Sequence, residues 1–547
     1  MRLRGTHLVE CLPPVGHIQV NRCPQRLSTQ TRWLPATAPM TKSTFLTGAF
    51  LLLVGLQTAS AQQKLTLAQQ QEDFKIFKTS VQEMHAGLNW FITPKRFNVL
   101  YDSVYTTLAD NADTEQFYLK VRYCMAALKH GHDGVNMTTA EGGINFKMGA
   151  LPKSRKHLPF VLRFLDKKLY IVNNCSTNPA IPNGSEILSI NGQSTAALAQ
   201  EFGRYVFANG RNTTFKYQVL GTYHQFQYLL QALHPADTYA LEIVPYGKKG
   251  KQRVTVQAEL PQTVATAYRK QTGKDIGAWD PFIVYKQLDP KTKLGYVKFE
   301  TFSAYRVEND SIKFATLFEK MFAQVKRDGI KNLIVDIRNN EGGDDNWQLA
   351  TSYFRAIPAG DNAGLPYVQS DKFTQLKYVE QTEQNKQLLM AFQQNPYALI
   401  DKLPDGRFKL KPQYTEHDTK DKPLMPNAYG GKVFLLQNGL TFSAGFAFAG
   451  KMKYLIQKDG GSIQVIGEDN GDDMDAGVGS GGWSLNVLLP NSKVKVTVPV
   501  TGGGTDQPYT IAPVKFLDHK VVPTIQDQVN GVDTEIEFVK KMMARQR

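Results

Sequence analysis

Three loops and one histidine turn hold the side chains of this chain whose types and spacing could do chemistry. The first loop, Asn438-Gly-Leu-Thr-Phe-Ser-Ala-Gly445, follows the apolar run Lys432-Val-Phe-Leu-Leu436 and puts a hydroxyl, Ser443, where a turn enters a small apolar segment. The backbone N–H groups that open a helix have no intrahelical partner, and a hydroxyl beside them stands next to donors able to hold a developing oxyanion. Ser is also among the best helix caps, so spacing leaves Ser443 open between cap and nucleophile. In the second loop, Arg338-Asn-Asn-Glu-Gly-Gly-Asp344, Gly342 and Gly343 let a further strip of backbone approach closely and offer another N–H. A serine nucleophile needs a base. His130-Gly-His-Asp133 follows a helical segment, and a loop at a helix end can aim the imidazole of His132 across a cleft. His130 and His132 together also raise a metal reading, which lacks a third partner at ligand spacing. Glu468-Asp-Asn-Gly-Asp-Asp473 crowds four carboxylates. It reads as a solvated acidic loop, as a calcium loop of non-standard spacing, or as the source of a carboxylate that orients the base.

The elements that must carry these loops follow from periodicity. From Gln69 to about Thr138 the apolar residues recur at helical intervals, as in Phe74, Phe77, Val81 and Met84, which predicts an N-terminal helical bundle within residues 62–150. Between 153 and 262 the signal becomes short strands separated by Asn, Gly and Pro: 169–172, 187–190, 215–219, 239–244 and 253–257. A linker with Pro261 and a polar stretch at 270–274 follows. Strands at 294–299, 332–337, 432–436 and 462–466 then alternate with helices at 312–327 and 443–457, the order of an α/β domain within residues 275–547. In such a domain ligands collect at the C-terminal ends of the parallel strands, where both loops fall. The polar piece 381–426 reads as an excursion of unassigned fold.

At 547 residues the chain exceeds one ordinary hydrophobic core. Met40 to Ala61 has one basic residue, an apolar run and Ala-Ser-Ala before Gln62, the three parts of a cleaved signal. Residues 1–39 carry no pattern and read as a leader upstream of a true start at Met40. The expectation is an exported protein, periplasmic or extracellular, with no integral membrane segment in the mature chain and no lipid-bearing Cys at its start. Residues 1–61 hold six basic residues and one acidic one, so the formal charge falls from +15 to +10 without them. No basic stripe with interleaved aromatics points to nucleic acid. Cys124 and Cys175 remain, which could pair but make no disulfide framework.

Four blocks in order make the chain resemble the C-terminal processing, or tail-specific, S41-type serine peptidases. They are Leu128-Lys-His-Gly-His-Asp133, Gly184 to Gln193, which resembles a PDZ module, Leu333-Ile-Val-Asp-Ile-Arg-Asn-Asn-Glu-Gly-Gly343, and Thr441-Phe-Ser-Ala444 with Ile466-Gly-Glu468. The resemblance implies a multidomain fold: an N-terminal helical bundle, a PDZ-like β domain and an α/β, ClpP/crotonase-like peptidase core. It implies Ser443 as nucleophile and an oxyanion hole from Gly342 or Gly343 with the Ala444 amide. The Ser-Lys branch carries Thr-Phe-Gly-Lys-Gly just after the Gly-Glu pair, where this chain has Asp469-Asn-Gly-Asp-Asp473. The match is nearer the tricorn-core-like branch, with His132 as base and Glu468 as its orienting carboxylate. The substrate implied is a polypeptide of exported proteins, with no cofactor and no metal. The rival classes are a catalytically inactive peptide-binding scaffold and a lipid or retinoid carrier on the same fold.

Overall fold

The structure, a computed structural model, describes residues 64–139, 142–144, 152–222, 224–278, 281–358, 365–383, 385–404, 406, 408–411, 421–472, 484–504 and 516–545. The expected signal segment and the residues upstream of it lie outside the described residues. Helix α1 (Leu67–Met84) starts at Thr66, whose hydroxyl accepts the Gln69 N–H while the Gln69 side chain accepts the Thr66 N–H. This reciprocal cap satisfies two donors that the helix leaves open. Helix α2 (Pro94–Tyr105) begins with Pro94 after the cap Thr93, and α3 (Thr114–Ala126) follows a second reciprocal cap at Asp113. Phe74, Phe77, Val81 and Met84 of α1 are buried together with Tyr101, Phe117, Val121 and Met125, as their spacing predicts. The helical unit is shorter than expected, because residues 134–139 and 142–144 are strands rather than helix. Strand β1 (Gly134–Thr139) finds its main partner some 360 residues later, described below. A segment whose partner is so distant carries no local sign of pairing.

The next unit is a twisted antiparallel sheet. Strands β2 (Phe160–Leu165), β3 (Lys168–Asn174) and β4 (Glu186–Ile190) precede helices α4 (Thr214–Thr222) and α5 (Gln225–Leu233). Strands β5 (Thr238–Val244) and β6 (Gln252–Gln257) complete the order β6-β5-β4-β3-β2, which leaves β2 and β6 at the edges. The expected strand at 215–219 is instead the body of α4, with Phe215, Gln218 and Val219 buried at helical spacing. Five apolar-rich residues do not distinguish the two periods. The expected linker is also a helix, α6 (Pro261–Thr272), with Pro261 at its first turn and left-handed Gly273 at its end, the usual asymmetry of helix termini. Cys124 and Cys175 are free and buried, and burial pushes the Cys175 thiol up to about 11.

Strand β7 (Ile283–Asp289) runs antiparallel to β8 (Leu294–Phe299), which opens the α/β core. After α7 (Phe314–Arg327) come β9 (Asn332–Asp336), β10 (Lys432–Gln437), α8 (Ala444–Lys458) and β11 (Ile463–Gly467). A hairpin, β12 (Ser484–Leu488) and β13 (Lys495–Pro499), then leaves the core before β14 (His519–Lys520) and the last helix, α9 (Thr534–Arg545), return to it. The sheet order is β7-β8-β9-β10-β11-β14, parallel from β8 onward. Leu333, Val335, Val433 and Leu435 face one apolar layer with α7 and α8, whereas Ile334, Phe434 and Leu436 face another with Val539 of α9. Burial on both faces explains why these strands read as unbroken apolar runs. The piece 365–410 adds short strands at 365–368, 400–402 and 408–410, which form a small sheet with 502–504.

Two long-range connections position the loops. Arg338, at the end of β9, donates to Asp336 and to Asp533 and Glu535 at the start of α9, at 2.6 to 3.0 Å. β13 pairs with β1 so that Thr497 lies opposite Gly134. The hairpin thereby ties the α/β core to the strand that leaves the His130–Asp133 turn.

Candidate active site

The loops after β9 and β10 are joined by their asparagines. Asn339 N–H donates to Asn438 Oδ1 at 2.9 Å, and Asn438 Nδ2 returns a bond to Asn339 Oδ1 at 2.8 Å. Buried Asn340 donates to Phe299 O, accepts the Gly342 N–H at 2.9 Å on its side chain, and accepts the Phe442 N–H on its carbonyl. Two glycines permit this approach. A Cβ on Gly445 would come within 2.4 Å of Asn340 O, and one on Gly343 within 2.2 Å of Ser303 N. Gly343 also sits at φ +140°, where an L side chain is strained.

Ser443 occupies the residue before α8, yet its hydroxyl makes no cap bond. Its backbone is at φ 55°, ψ −122°, a region costly for any residue with a Cβ and found where a surrounding structure holds it for use. This conformation turns Ser443 Oγ to His132 Nε2, 3.0 Å away across 311 residues of sequence. The cap reading of Ser443 therefore does not describe its hydroxyl. Ala444, at the first turn of α8, has a backbone N beside Gly342: a Cβ on Gly342 would lie 2.8 Å from it and 2.8 Å from Ser443 Cβ. The Gly342 N–H is occupied by Asn340, while Gly343 is exposed beside it.

The His132 loop is packed from the core side. The ring of His132 lies 4.7 Å, centroid to centroid, from Phe442, the residue before Ser443. Gly131 is required there, since a Cβ would come within 2.6 Å of the Phe442 ring. The Gly131 N–H donates to buried Asn209 Oδ1, and Asn209 Nδ2 donates to Asp472. Asn212 holds the same acidic loop through the carbonyls of Asn470 and Asp472, at 2.7 Å each. Asp472 is buried, so this part of the loop is not a solvated acidic surface; Asp473 lies outside the described residues. Sequence reading singled out the 468–473 loop for its carboxylates but not Asp472 within it, and missed Asn209, because nothing local marks two residues that meet over 263 positions.

Glu468 is placed differently from the expectation that it orients His132. Its carboxylate accepts from Gln218 Nε2 at 2.9 Å and lines a pocket of about 60 Å³ with Asp166, Lys167 and Lys520. Burial pushes this carboxyl up to about 7. A carboxyl that burial disfavours as an anion, with its bond directed to an amide, is a poor partner for an imidazolium. Thr501 is fully buried, and its hydroxyl has no hydrogen-bond partner among the described residues.

A serine hydroxyl on a strained turn at the head of a helix, bonded to an imidazole at the C-terminal edge of a parallel sheet, is an arrangement of acyl-transfer hydrolases. Residues 293–473 match Peptidase family S41, so the chain carries an S41 peptidase domain. No curated protein matches the chain. Among solved structures, it is similar to mature CPAF, with 16% identity over 87% of this chain and 96% of that one, at a TM-score of 0.54. A mutant of CPAF gives 14% identity over 85% and 94%, at 0.55, and mature CPAF complexed with lactacystin gives 15% over 87% and 97%, at 0.52. At such identities the likeness is one of fold.

Proposed function

We propose that this chain hydrolyses peptide bonds of polypeptides through an acyl-enzyme on Ser443, with His132 as the base. The observation that carries this reading is the 3.0 Å approach of Ser443 Oγ to His132 Nε2, made by a serine held at positive φ. His132 Nε2 takes the hydroxyl proton as Oγ attacks the carbonyl carbon. The oxyanion is received by the N–H groups of Gly343 and Ala444, since that of Gly342 is committed to Asn340. His132 then protonates the leaving amine, and water reverses the steps to release the acyl group. The serine-histidine branch is favoured over serine-lysine because the loop after β11 supplies Asn470 and Asp472 to the histidine side and no lysine.

The β domain, residues 153–262, is read as PDZ-like. Its edge strand β2 is already covered: Gln227 Nε2 of α5 donates to Phe160 O at 2.9 Å, and Gly221 of α4 lies so close that a Cβ would be 2.8 Å from Phe164 N. Strand addition of a peptide tail needs that edge open. Tail binding by addition to β2 is therefore closed off, Gly221 permitting the closure, while the other edge, β6, is largely exposed. The helical unit within 62–150 supplies the base and the core within 275–547 the nucleophile. The protein is placed outside the cytoplasm on the signal pattern of residues 40–61; among the described residues no helix is long and apolar enough to cross a membrane.

The test is fluorophosphonate labelling of the protein beginning at Gln62, read by intact mass beside Ser443→Ala and His132→Ala. One adduct on the parent, absent in the first variant and strongly slowed in the second, is the expected result. A folded parent that takes no adduct would overturn the enzyme reading in favour of a peptide-binding scaffold.

A further inference from the structure

Behind the His132 turn lies a second set of histidines that the proposed reaction does not use directly. His85, at the end of α1, is fully buried and places Nε2 2.8 Å from Asp133 Oδ1, itself fully buried. His85 Nδ1 accepts the Gly87 N–H at 3.1 Å, so the ring proton is on Nε2 and is donated to Asp133. His130 packs edge-on against both His85 and His132, with centroids 5.1 and 5.8 Å apart. Its Nδ1 is 3.3 Å from the His132 N–H and 3.4 Å from Asp133 Oδ1. The first neighbour requires a lone pair there and the second a proton. The backbone contact places the lone pair on Nδ1 and the proton on Nε2, which has no hydrogen-bond partner among the described residues, and burial holds the ring neutral.

Two histidines and a carboxylate with donor atoms within 4.8 Å of one another also make a zinc-type donor set. The hydrogen bonds argue against it. Both Nδ1 lone pairs face backbone N–H groups, and the 2.8 Å between His85 Nε2 and Asp133 is shorter than the roughly 3.3 Å between ligands of a tetrahedral zinc. The charge arithmetic then leaves one buried carboxylate, given one proton donor by His85, directly after the base in sequence. Its other oxygen, Asp133 Oδ2, has no hydrogen-bond partner among the described residues. The other titratable groups around this cluster are Tyr101 of α2 and Cys124 of α3, both neutral because burial pushes them up. From the core side comes Asp472, which reaches the turn through Asn209.

We propose that His85, Asp133 and His130 are positioning residues for the base: His130 fixes the His132 backbone, and the buried charge of Asp133, moderated by His85, stabilises the imidazolium that His132 becomes. The inference rests on the Ser443 and His132 reading. Unlike an orienting carboxylate bonded to the base, this device acts through the adjoining backbone and through its field.

The test measures the fluorophosphonate labelling rate against pH, with the final labelled fraction counting folded molecules independently of rate. Asp133→Asn should move the His132 midpoint down by about one pH unit and slow the plateau about tenfold. His85→Leu, which strips the donor and leaves the charge, should move the midpoint up, while His85→Gln, which restores an N–H, should return it to the parent value. His130→Leu should slow the plateau without moving the midpoint, and His130→Asn should recover part of the rate. If His85→Leu and Asp133→Asn both reduce only the labelled fraction, with midpoints overlaying the parent, the residues are merely structural and the proposal fails. A parent that does not label at all instead removes the peptidase reading on which it stands.

Discussion

The two halves of the site are built by different physics. The serine half is held by backbone. Ser443 is at positive φ, Gly342 at φ +104° and Gly343 at φ +140°, and a Cβ on Gly342, Gly343 or Gly445 would fall within 2.8 Å of backbone of the facing segments. The histidine half is held by buried side chains: Asn209 of the β domain with Asp472 of the core on one side, His85, His130 and Asp133 on the helical side. A backbone-built half tolerates no added atom, whereas a side-chain-built half tolerates changes that keep its hydrogen bonds. Nucleophile and oxyanion donors need rigid placement, and the base needs both placement and a tuned charge.

The comparison breaks most completely where the halves meet. Ser443→Ala and His132→Ala should each lower kcat/KM for a peptide substrate by about 10⁴ to 10⁶, with unchanged circular dichroism. If His132→Ala costs less than about tenfold, the histidine half belongs to the scaffold rather than to the reaction. Next in size is Gly343→Ala. Its new methyl would lie 2.2 Å from Ser303 N and 2.3 Å from Phe302 C, neither of which can turn aside, and the residue would sit at a φ that only glycine adopts easily. Either the loop moves or the fold weakens, and kcat should fall by about 10² to 10³. Full activity in that variant would mean that this loop does not shape the site.

A smaller effect is expected from Asn209→Ala on the histidine side. The change removes the acceptor of the Gly131 N–H and the donor to Asp472, and the stranded N–H costs about 1–3 kcal/mol at most. The turn can still be carried by His130 and by the pairing of β13 with β1, so kcat should drop by about tenfold and Tm by a few degrees. Asn209→Asp, which keeps the acceptor but sets a second carboxylate against Asp472, should be worse than Asn209→Ala in stability. The reverse order in urea unfolding would show that the Gly131 bond, not the Asp472 contact, is the one that matters.

The same contrast explains what could be read from the sequence. Ser443, Gly342, Gly343 and Ala444 stand in short segments that follow apolar parallel strands, so their neighbourhood is written locally; the turn of His132 singles it out, while its reading as base comes from the family resemblance. His85 and Asn209 were not legible, because each acts over 48 to 263 positions and is an ordinary polar residue in its own segment; Asp472 stood in a loop marked by its carboxylates, but its partner did not show. The parallel strands at 294–299, 332–336, 432–437 and 463–467 are close to their predicted spans because burial on both faces leaves continuous apolar runs. Phe215–Val219 was misread as strand because five residues sample less than two helical turns, and the closing of α4 against β2 through Gly221 is a tertiary fact. The helix at Pro261–Thr272 did carry terminal signals, the Pro and Gly that read as a linker.

The smallest expected effect concerns Glu468, which tests whether the carboxylates of the two halves are electrically separate. Burial, reinforced by the charges of Glu535, Asp469 and Asp166 and opposed by Lys520, raises its folded pKa to about 7 from an ordinary 4.5. Between those values the folded protein keeps a proton that the unfolded chain has released, so stability falls as pH rises through this window and the loss is complete above it. Glu468→Gln carries no such titration. It should melt with the parent near pH 4.5 and about 1 °C above it at pH 8, the shift that about 1 kcal/mol gives in a chain of this size. Because the carboxylate bonds to Gln218, the labelling midpoint of His132 should stay where it is in the same variant. A midpoint that falls in Glu468→Gln would mean that Glu468 shares the field of the base, and the division between a pocket carboxyl and the charge of Asp133 would no longer hold.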